Sequence, residues 1–566
     1  MNKYPSRNLF RKAIRKCLIL LTRGRSVLES RRTEIVHIEF TTRCNLKCVF
    51  CPVSQPNYRS FDLDPELLTN IVNNLPDRFP ETVVVNGHGE TTVYPHWNEY
   101  CNSLLDAGLP LHIISNFAKK LSAQEIETLS RFQSVQVSCD SHDPDLFCKL
   151  RRGADLNTLR VNIEKIQAAR VCRGRKTPSL SFSCVVSDRN VLQLPEYVVF
   201  GKNLGIDQFT FCNLTKHPDL DGTLNCRHIT EMEFNLLPSV REAFTNCLAL
   251  LKKDRINYYV QPGLFDSLEE KMRSGDLGQK EPSAPSTMLN VRPLSPPQTA
   301  ENLSSGKRPP KQLTSEWRYS SSRPESSTRD CLDPWNFILF HANSEVRPCC
   351  WQNPVLTLGK RQSITDAFNC LQVKKLRYQL LSGDLPGKCL HCPSRGWTTR
   401  ADLLKKVKKY LYPALLQPSF WRRSIPEMPK PIDVNVLYNQ GWYPEEHDEA
   451  AINPDRRHYR WISQQAHCTM QNPRCQAVLF IRGFVHPEIL QEQKLKIYIG
   501  SEMLDEFFPL SEKFVIEYAV PPENWGDTNT VSIVLESTKA FVPKQTLPGN
   551  NDDRDLALKI YQLQLF

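Results

Sequence analysis

The sequence lacks any long apolar segment. The longest apolar run near its N-terminus spans only residues 17–21, whereas a helix that crosses a membrane needs about 20 apolar residues. The run is also too short for the core of a secretory signal peptide. We therefore expect no transmembrane segment, and we predict a soluble protein of the cytoplasm.

The sequence also lacks a basic charge that extends over its whole length. Its formal net charge is +11, but residues 1–33 contribute +9 and residues 398–424 contribute +6, which leaves −4 for the remainder. A protein that binds nucleic acid should be basic on its main body as well, so nucleic acid is not an expected partner. The two basic stretches are typical of solvated helix faces, although an anionic surface or partner would suit them too.

Cysteine, in contrast, is abundant. The chain has 20 cysteines among 566 residues, and many of them lie in clusters. In a secreted protein they would indicate disulfides, but without a secretory signal the clustering favours metal or iron–sulfur ligation. With 40% hydrophobic and 23% charged residues the chain can form apolar cores, and its length suggests three or four domains.

Between residues 35 and 265, β-branched apolar runs alternate with helical patterns. The apolar runs predict strands at residues 35–40, 82–86, 111–115, 134–139, 179–186 and 208–212. The patterns between them predict helices at residues 65–75, 123–131, 156–169 and 192–204. Such alternation predicts a parallel sheet covered by helices. We therefore expect an α/β domain, a partial (β/α)6 barrel or a doubly wound sheet, with its chemistry at the C-terminal ends of the strands.

The remaining segments differ from this domain in composition. In chain order they predict a basic N-terminal extension (1–34), a flexible Ser/Pro-rich linker (273–328), a small Cys-rich module (329–400), a basic helical connector (401–431) and an all-β C-terminal sandwich (432–566). The linker has little apolar surface to bury. Alternating runs in the last segment predict strands at residues 477–481, 495–499, 514–518, 531–535 and 556–565.

Three cysteines come directly after the first predicted strand: Cys44, Cys48 and Cys51, here called the first cysteine set. Three thiolates can hold three irons of a four-iron cube and leave the fourth iron open to a substrate or cofactor. A zinc knuckle is the alternative. Zinc usually takes four ligands, however, and no fourth Cys or His lies nearby in the sequence.

The spacing C-x3-C-x2-C behind a first strand, with Phe50 before the last cysteine, resembles the radical S-adenosylmethionine (radical SAM) superfamily. The resemblance implies that S-adenosylmethionine (SAM) chelates the open iron of a [4Fe–4S] cluster and is split after one-electron reduction. A 5′-deoxyadenosyl radical would then abstract hydrogen from an unactivated C–H bond, the cofactors carrying the difficult chemistry. An electron donor such as flavodoxin or ferredoxin is the implied partner.

Further positions match the same superfamily. Gly87, Gly89 and Glu90 come after the second strand and resemble its glycine-rich GGE motif. The resemblance implies that the glycines let backbone approach the methionine moiety and that the carboxylate of Glu90 accepts a bond from its ammonium group. The resemblance also implies cofactor contacts for residues near the strand ends: Phe50, Ser115, Asn116, Ser138, Asp140 and Arg152.

Five more cysteines form the second cysteine set: Cys331, Cys349, Cys350, Cys389 and Cys392. The pattern resembles the Twitch/SPASM modules that succeed radical SAM cores and hold an auxiliary [4Fe–4S] cluster. Four thiolates saturate a cube, so this site should be closed to ligands. By similarity, the 18-residue step from Cys331 favours Cys349 over Cys350 as the ligand. A structural zinc site is the alternative, and a hairpin of residues 337–340 and 345–347 is expected inside the module.

The outcome of the reaction depends on the fate of the substrate radical. An auxiliary cluster that accepts an electron gives oxidation, whereas epimerisation needs a hydrogen-atom donor, commonly a cysteine. Cys139, Cys184 and Cys212 lie on predicted strands or at their ends. Because cysteine is a common core residue, only Cys212, at the end of the last strand, is selected as a catalytic candidate.

The C-terminal sandwich is similar to β-sandwich modules attached to bacterial glycosyltransferases and methyltransferases. Exposed Trp442, Tyr443 and Trp461 would suit stacking on a sugar, and core packing of these aromatic residues is the alternative. The leading hypothesis is a radical SAM enzyme that oxidises or epimerises a saccharide-type small molecule or glycan. The alternatives are a maturase of a peptide or protein, and a non-catalytic iron–sulfur scaffold or carbohydrate-binding protein.

Overall fold

The computed structural model of the chain describes residues 26–78, 80–174, 177–214, 226–261, 263–274, 327–392, 394–411, 428–449, 451 and 456–566. Nearly all of the predicted linker, most of the predicted N-terminal extension and much of the basic connector lie outside these ranges. Within the described residues, no helix is both long and apolar enough to cross a membrane.

The first domain is built on a ten-stranded sheet in the order β10-β9-β8-β1-β2-β3-β4-β5-β6-β7. All neighbouring strands in the series β8-β1-β2-β3-β4-β5-β6-β7 pair in parallel. This parallel sheet confirms the predicted α/β fold. The strands are β1 (Ile35–Ile38), β2 (Thr82–Val84), β3 (Leu111–Ser115), β4 (Ser134–Ser138), β5 (Ser179–Val186), β6 (Gln208–Asn213), β7 (Asn257–Val260), β8 (Phe337–Phe340), β9 (Glu345–Arg347) and β10 (Leu356–Thr357).

The predicted hairpin of residues 337–347 exists as the antiparallel pair β8 and β9, but it does not stay within the Cys-rich module. Strand β8 pairs in parallel with β1, so that the hairpin extends the barrel sheet. Three of its four residues are buried, and a strand buried on both faces is typical of a parallel sheet. The Cys-rich module is therefore hydrogen-bonded to the strand that leads into the first cysteine set.

Among the described residues, eight helices lie between the parallel strands in the sequence: α1 (Pro65–Asn74), α2 (Trp97–Asp106), α3 (Ala123–Leu129), α4 (Pro144–Leu150), α5 (Leu156–Cys172), α6 (Leu194–Asn203), α7 (Leu237–Lys253) and α8 (Leu264–Ser274). Local chemistry sets where they start. Helix α1 has Asp64 as its N-cap and proline at its first position. Helix α3 begins with a capping box of Ser122 and Glu125. Both caps provide hydrogen-bond acceptors for backbone N–H groups that lack partners within the helix.

The two faces of the sheet differ in chemistry because successive residues of a strand point to opposite sides. On β5, Phe182 and Cys184 belong to the apolar core beneath the helices, whereas Ser183 lies on the opposite face, here called the interior face. Strand β6 repeats the pattern, with Phe211 in the core and Cys212 on the interior face. The interior face is therefore available to a polar ligand.

The Cys-rich module has its own small core around Trp335, Leu380 and Leu403. Its helices are α9 (Asp333–Asn336), α10 (Ile364–Phe368), α11 (Leu371–Ser382), α12 (Gly387–Leu390) and α13 (Arg400–Val407). Val27 and Leu28 are buried in the same core, so this part of the predicted N-terminal extension is packed. Residues Ser327–Arg329, at the end of the predicted linker, form a strand that pairs with Trp397–Thr399.

The C-terminal domain is a sandwich of two five-stranded antiparallel sheets, β11-β14-β19-β16-β17 and β12-β13-β20-β15-β18. Its strands are β11 (Val436–Tyr438), β12 (Trp442–His447), β13 (His458–Ile462), β14 (Gln465–Gln471), β15 (Ala477–Phe484), β16 (Leu495–Ile499), β17 (Glu502–Phe507), β18 (Lys513–Val520), β19 (Thr530–Ser537) and β20 (Leu558–Leu565). A short helix, α14 (Pro543–Thr546), precedes the last strand. The all-β prediction is confirmed, and the structure adds strands at β11 to β14 and β17.

The sandwich is docked on the rest of the chain through buried carboxylates. Glu517 of β18 accepts backbone N–H bonds from Leu371 and Gln372 at the start of α11. Asp505 of β17 accepts the backbone N–H of Arg361, which lies 3.0 Å from both carboxylate oxygens. Burial raises the pKa of Glu517 to about 7 and that of Asp505 to about 6, against the effect of these N–H donors. The contact between the sandwich and the rest of the chain therefore depends on the protonation of Glu517 and Asp505.

Candidate active site

The first cysteine set lies in the loop that leaves the C-terminal end of β1. Cys48 is buried, and Cys44 and Cys51 are half-buried. Residues Lys47–Cys48 pair antiparallel with Arg151–Arg152, which fixes the middle of the loop against the segment directly after α4. The three thiols lie close enough for their charges to influence one another. The structure thus gathers the three predicted ligands at one strand end.

Burial decides the protonation of these thiols. It raises the pKa of Cys44 to about 11 and that of Cys48 to about 12, although the nearby cation of Arg151 acts in the opposite direction. Free thiols here are therefore protonated at neutral pH, and a bound metal would displace the protons. Within the described residues, no three Cys, His, Asp or Glu side chains converge on a single-ion site. A four-iron cube is larger than one ion and suits more widely spaced thiols.

The glycine-rich loop after β2 lies directly against the first cysteine set. A Cβ atom on Gly89 would collide with the backbone carbonyls of Thr41 and Arg43, and one on Gly87 would collide with the side chain of Glu39. The backbone N–H of Glu90 donates to the carbonyl of Arg43 at 2.8 Å. Only glycine permits this close approach of two backbone segments, so the loop and the cysteines form one unit.

Glu90 uses both carboxylate oxygens within the protein. Its Oε1 accepts bonds from the Thr92 hydroxyl and the Ser115 hydroxyl, each at 2.8 Å, and its Oε2 accepts the backbone N–H of Asn116 at 2.7 Å. Asn116 in turn donates from Nδ2 to Asn45 at 2.8 Å, and this Nδ2 lies 3.6 Å from Sγ of Cys44. The residues predicted to contact SAM thus form a network of their own, in which Glu90 joins the ends of β2 and β3.

A buried ion pair borders the other side of the first cysteine set. Nε of Arg151 lies 2.6 Å from Oδ2 of Asp140. A second nitrogen of Arg151 lies 3.9 Å from Sγ of Cys48, and the guanidinium lies 5.7 Å from the ring centre of Phe50. Arg152, the predicted cofactor contact, is exposed, because adjacent strand residues point in opposite directions. The arginine beside the cysteines is Arg151, which the prediction did not select.

The three cysteines considered as hydrogen-atom donors differ in their access to the interior face. Cys139 and Cys184 are fully buried in the apolar core. Cys212 is only half-buried, and its Sγ lies 3.7 Å from Oγ of Ser183. Ser138 is also half-buried, at the end of β4. Among the three cysteines, Cys212 is the one whose thiol can meet a ligand on the interior face.

Sequence reasoning missed a buried carboxylate–histidine pair, Glu39 and His341, at the ends of β1 and β8. Oε2 of Glu39 lies 3.0 Å from Nδ1 of His341, and Oε1 accepts the backbone N–H of His88 at 2.7 Å. Burial alone would raise the pKa of Glu39, but the hydrogen bond from His341 and the nearby His88 lower it to about 2. The only sequence signal was an acidic residue at the end of an apolar run.

The pair has the geometry of a proton acceptor. Because Glu39 is ionised, Nδ1 of His341 must be the donor in their bond, which leaves Nε2 as the free nitrogen. Nε2 of His341 is buried and has no hydrogen-bond partner among the described residues. A carboxylate that orients a histidine in this way is a recurring arrangement for general acid–base chemistry.

Several other buried polar atoms have no partner among the described residues: Nε2 of His37, Oδ1 of Asn86, Oγ of Ser181 and Oγ1 of Thr210. All four lie on strands of the barrel sheet or directly after one. Buried polar atoms in folded proteins nearly always have hydrogen-bond partners. Their presence together in one sheet therefore favours a polar ligand or ordered water on the interior face.

All five cysteines of the second cysteine set are half-buried residues of the module. Nε2 of Gln352 donates to Sγ of Cys389 at 2.9 Å. Cys331 and Cys349 lie close enough for their charges to interact, as do Cys389 and Cys392. Cys349 and Cys350 have similar burial, so the preference for Cys349 stays a prediction.

Comparison with known proteins agrees with this geometry. The family model described as "Radical SAM superfamily" matches residues 38–180. A curated relative, the tungsten-containing aldehyde ferredoxin oxidoreductase cofactor-modifying protein of Pyrococcus furiosus, is 27% identical over 186 residues, which are 32% of this chain and 51% of the relative. The chain thus spans about half the length of this relative.

Two solved structures have a loosely similar fold. Streptococcus suis SuiB bound to S-adenosylmethionine has 14% sequence identity and a TM-score of 0.42, over 67% of this chain and 75% of that one. Native anSMEcpe with bound AdoMet has 14% identity and a TM-score of 0.36, over 68% of this chain and 98% of that one. Similarity at this level does not transfer the roles of residues.

Residues 38–180 therefore form a radical SAM domain. The domain implies a [4Fe–4S] cluster and SAM as cofactors. The first cysteine set fits this cluster, since its three thiols would leave one iron without a protein ligand. The glycine-rich loop lies against the first cysteine set.

Proposed function

We propose that this enzyme abstracts a hydrogen atom from a polar substrate held at the interior face and completes a net two-electron oxidation through a second cluster. The observation that carries the proposal is the pairing of β8 with β1. It joins the module with the second cysteine set to the strand that leads into the first. A substrate on the interior face would then lie between the two cysteine sets.

The roles of the residues derive from their positions. The cluster and SAM supply a carbon-centred radical strong enough to take hydrogen from an unactivated C–H bond. Cys44, Cys48 and Cys51 would hold the cluster, while Gly87 and Gly89, by carrying no side chain, let the glycine-rich loop lie against the segment that leads into these cysteines.

The remaining site residues set the charge and polarity near the interior face. Glu90 retains lone-pair capacity on Oε2, and Arg151 offers positive charge balanced by Asp140. Nε2 of His341 would accept the proton that the substrate releases on oxidation. Ser138 and Phe50 are proposed as contacts of the cofactor.

The substrate we propose is a saccharide-type molecule, because hydroxyl-rich compounds can satisfy the unpartnered atoms of Asn86, Ser181 and Thr210. In the sandwich, Trp442 and Tyr443 are half-buried and lie against Tyr438 and Arg554, respectively. Trp461 is only 7% exposed and packs against His486 and Phe541, as expected for a core aromatic residue. The substrate class therefore rests on the barrel alone.

Two alternatives differ in reaction or substrate. The position of Cys212 on the interior face favours epimerisation as a second candidate, with its thiol returning a hydrogen atom to the substrate radical. The name of the curated relative favours modification of a cofactor, and a peptide substrate is a further possibility of the same kind.

The proposal is tested with the anaerobically reconstituted chain. Two four-iron clusters require about eight irons and eight sulfides per chain, and dithionite with SAM should yield 5′-deoxyadenosine. About four irons, or stoichiometric zinc in natively purified protein, would contradict the second cluster. A panel of sugars, peptides and cofactor precursors then identifies the class that accelerates 5′-deoxyadenosine formation.

Oxidation and epimerisation are separated in D2O. A cysteine donor exchanges its S–H for S–D, so epimerisation would place deuterium in the product, and Cys212→Ser would abolish this label. Oxidation requires no such donor, and Cys212→Ser would then leave product formation largely unchanged.

A further inference from the structure

One arginine of the module, Arg329, is buried beside the second cysteine set. It ends the short strand Ser327–Arg329, two residues before Cys331. Its side chain donates to three backbone carbonyls: Nε to Cys389 at 2.7 Å, one terminal nitrogen to Arg395 at 2.8 Å and the other to Leu390. These carbonyls belong to the loop that carries Cys389 and Cys392. Arg329 therefore holds the shape of that loop.

The guanidinium is also packed against an aromatic ring. It lies 3.8 Å from the ring centre of Trp397, which is directly opposite Arg329 in the two-stranded sheet. Stacking of this kind leaves the guanidinium edge free for hydrogen bonds in its own plane. The side chain is thus fixed on one face by Trp397 and along its edge by the loop.

The charge of Arg329 has no carboxylate partner among the described residues. The buried Arg151 is paired with Asp140, and Arg395, in the same module, is paired with Asp333. The ionisable groups that act on Arg329 are instead the thiols of Cys392, Cys389 and Cys331. A buried cation without a counter-charge is costly, so thiolates are the anions that can offset it.

We propose that Arg329 is a positioning residue that clamps the ligand loop of the second cysteine set and supplies the counter-charge of an anionic auxiliary cluster. This inference rests on the proposed two-cluster function. A positive charge beside the cluster stabilises its reduced, more negative form and raises its reduction potential. Arg329 thus favours electron acceptance, and with it oxidation over epimerisation.

The electrons and atoms of that oxidation balance. The substrate gives a hydrogen atom to the SAM-derived radical, then one proton to a base and one electron to the auxiliary cluster, so that a C–O or C–N single bond becomes a double bond. The external electron carrier, of the flavodoxin or ferredoxin class, takes the electron back from the reduced cluster. The charge of Arg329 makes the transfer from the substrate radical more favourable.

The test uses the full chain with Cys48→Ser, in which only the second cluster should be present. Arg329→Gln removes the charge, and Arg329→Lys keeps the charge but lacks the planar fork of separate nitrogens that reaches the three carbonyls. Arg474→Gln, at an exposed sandwich position, is the control. Iron and sulfide are counted, and the reduction potential is measured by redox titration with detection by electron paramagnetic resonance.

We expect Arg329→Gln to lower the potential by at least about 59 mV, equivalent to a tenfold change in the ratio of reduced to oxidised cluster. Arg329→Lys should keep the potential within that margin and lose iron more readily on mild chelation. Arg474→Gln should match the parent. If Arg329→Gln cannot hold a cluster, retention of the parent potential in Arg329→Lys supports the counter-charge.

An unchanged potential in a loaded Arg329→Gln chain would overturn the proposal, as would retention of iron by both Arg329 variants as firmly as by the parent during chelation. A Cys48→Ser parent that binds no iron would show that the two-cluster function itself is wrong. That failure is visible before any Arg329 variant is measured.

Discussion

The first cysteine set comes from eight consecutive residues, whereas the second is assembled from three separate segments of the module. The first lies at the end of one strand and is enclosed by the glycine-rich loop and the Asp140–Arg151 pair. The second depends on the fold of the module, with Arg329 bonded to the loop that carries two of its thiols. Thiolates from one short segment would leave one iron of the cluster without a protein ligand, whereas thiolates from several segments can bind every iron of a cluster. This difference predicts that the two cysteine sets have separate roles.

The largest effect is expected from single cysteine changes in the two sets. Cys48→Ser should reduce 5′-deoxyadenosine formation with dithionite and SAM by at least about 100-fold, because the open cluster loses a ligand. Cys392→Ser should leave uncoupled 5′-deoxyadenosine formation within about threefold, since only the second cluster is damaged. Chromatography of 5′-deoxyadenosine from each variant makes the comparison.

Circular dichroism of both variants controls for folding. Equal loss of activity in two folded variants would show that the second cluster takes part in the first reduction. The separation of roles would then be wrong.

The second-largest difference between the two regions is expected when one glycine in each is replaced by alanine. Gly89→Ala forces a Cβ against the carbonyls of Thr41 and Arg43, so SAM binding should weaken by at least about tenfold. Gly387→Ala, at the start of α12, meets no atom within 4 Å and needs no left-handed backbone, and it should bind SAM as the parent does. Equilibrium binding of SAM to reconstituted protein measures both. Unaltered binding in Gly89→Ala would mean that the loop is not a cofactor cradle.

Two buried glutamates should respond to pH in opposite directions, with the larger effect near the first cysteine set. Glu39→Gln removes the charge that holds His341 and should destabilise the chain by about 1–3 kcal/mol at pH 7. Because the pKa of Glu39 is lowered to about 2, its contribution is present above the ordinary carboxyl pKa and is lost as pH falls from about 4.5 towards 2. Urea unfolding of parent and variant should therefore differ less at pH 3.5 than at pH 7.

Glu517→Gln should have the smallest effect and the opposite pH dependence. Burial raises the pKa of Glu517 to about 7, so the folded state binds its proton more tightly, and its contribution to stability falls as pH rises from about 4.5 to 7. A neutral glutamine avoids the burial of charge, but its single oxygen can accept only one of the N–H bonds that Leu371 and Gln372 donate to the two carboxylate oxygens. The variant should be about 1 kcal/mol less stable than the parent at pH 5 and should lose this deficit by pH 8. A deficit as large at pH 8 as at pH 5 in the same urea experiment would contradict this.

Much of the barrel was predictable because its strands are short apolar runs. The predicted bounds of β3 and β5 agree with the structure, and β1, β2, β4 and β6 differ only at their ends. Strand β7 was missed, since its alternate residues are exposed and its sequence is partly polar. In the sandwich, predicted strands match the most apolar segments, and the missed ones include β11 and β12, whose residues are mostly exposed or half-buried.

The residues of the candidate site also divide into those that a sequence pattern could predict and those that it could not. The first cysteine set and the glycine-rich loop could be found because each is a short pattern whose spacing carries its chemistry. The choice between Arg151 and Arg152 could not be made, since alternation in a strand permits either orientation and the pairing with Lys47–Cys48 decides it. Trp461 shows the same limit, because its burial depends on the loops that carry His486 and Phe541.

The sequence by itself determined the α/β barrel, the all-β C-terminal domain and the three thiols of the first cysteine set, because local periodicity and spacing are enough to specify them. Only the tertiary structure decided that β8 pairs with β1, that Glu39 meets His341, and that Arg329 lies over Trp397 beside the second cysteine set. The first two contacts join residues about 300 positions apart, and the third joins residues about 70 apart. They are selected by burial of apolar surface and by the pairing of buried polar groups across the whole fold, which no local pattern encodes.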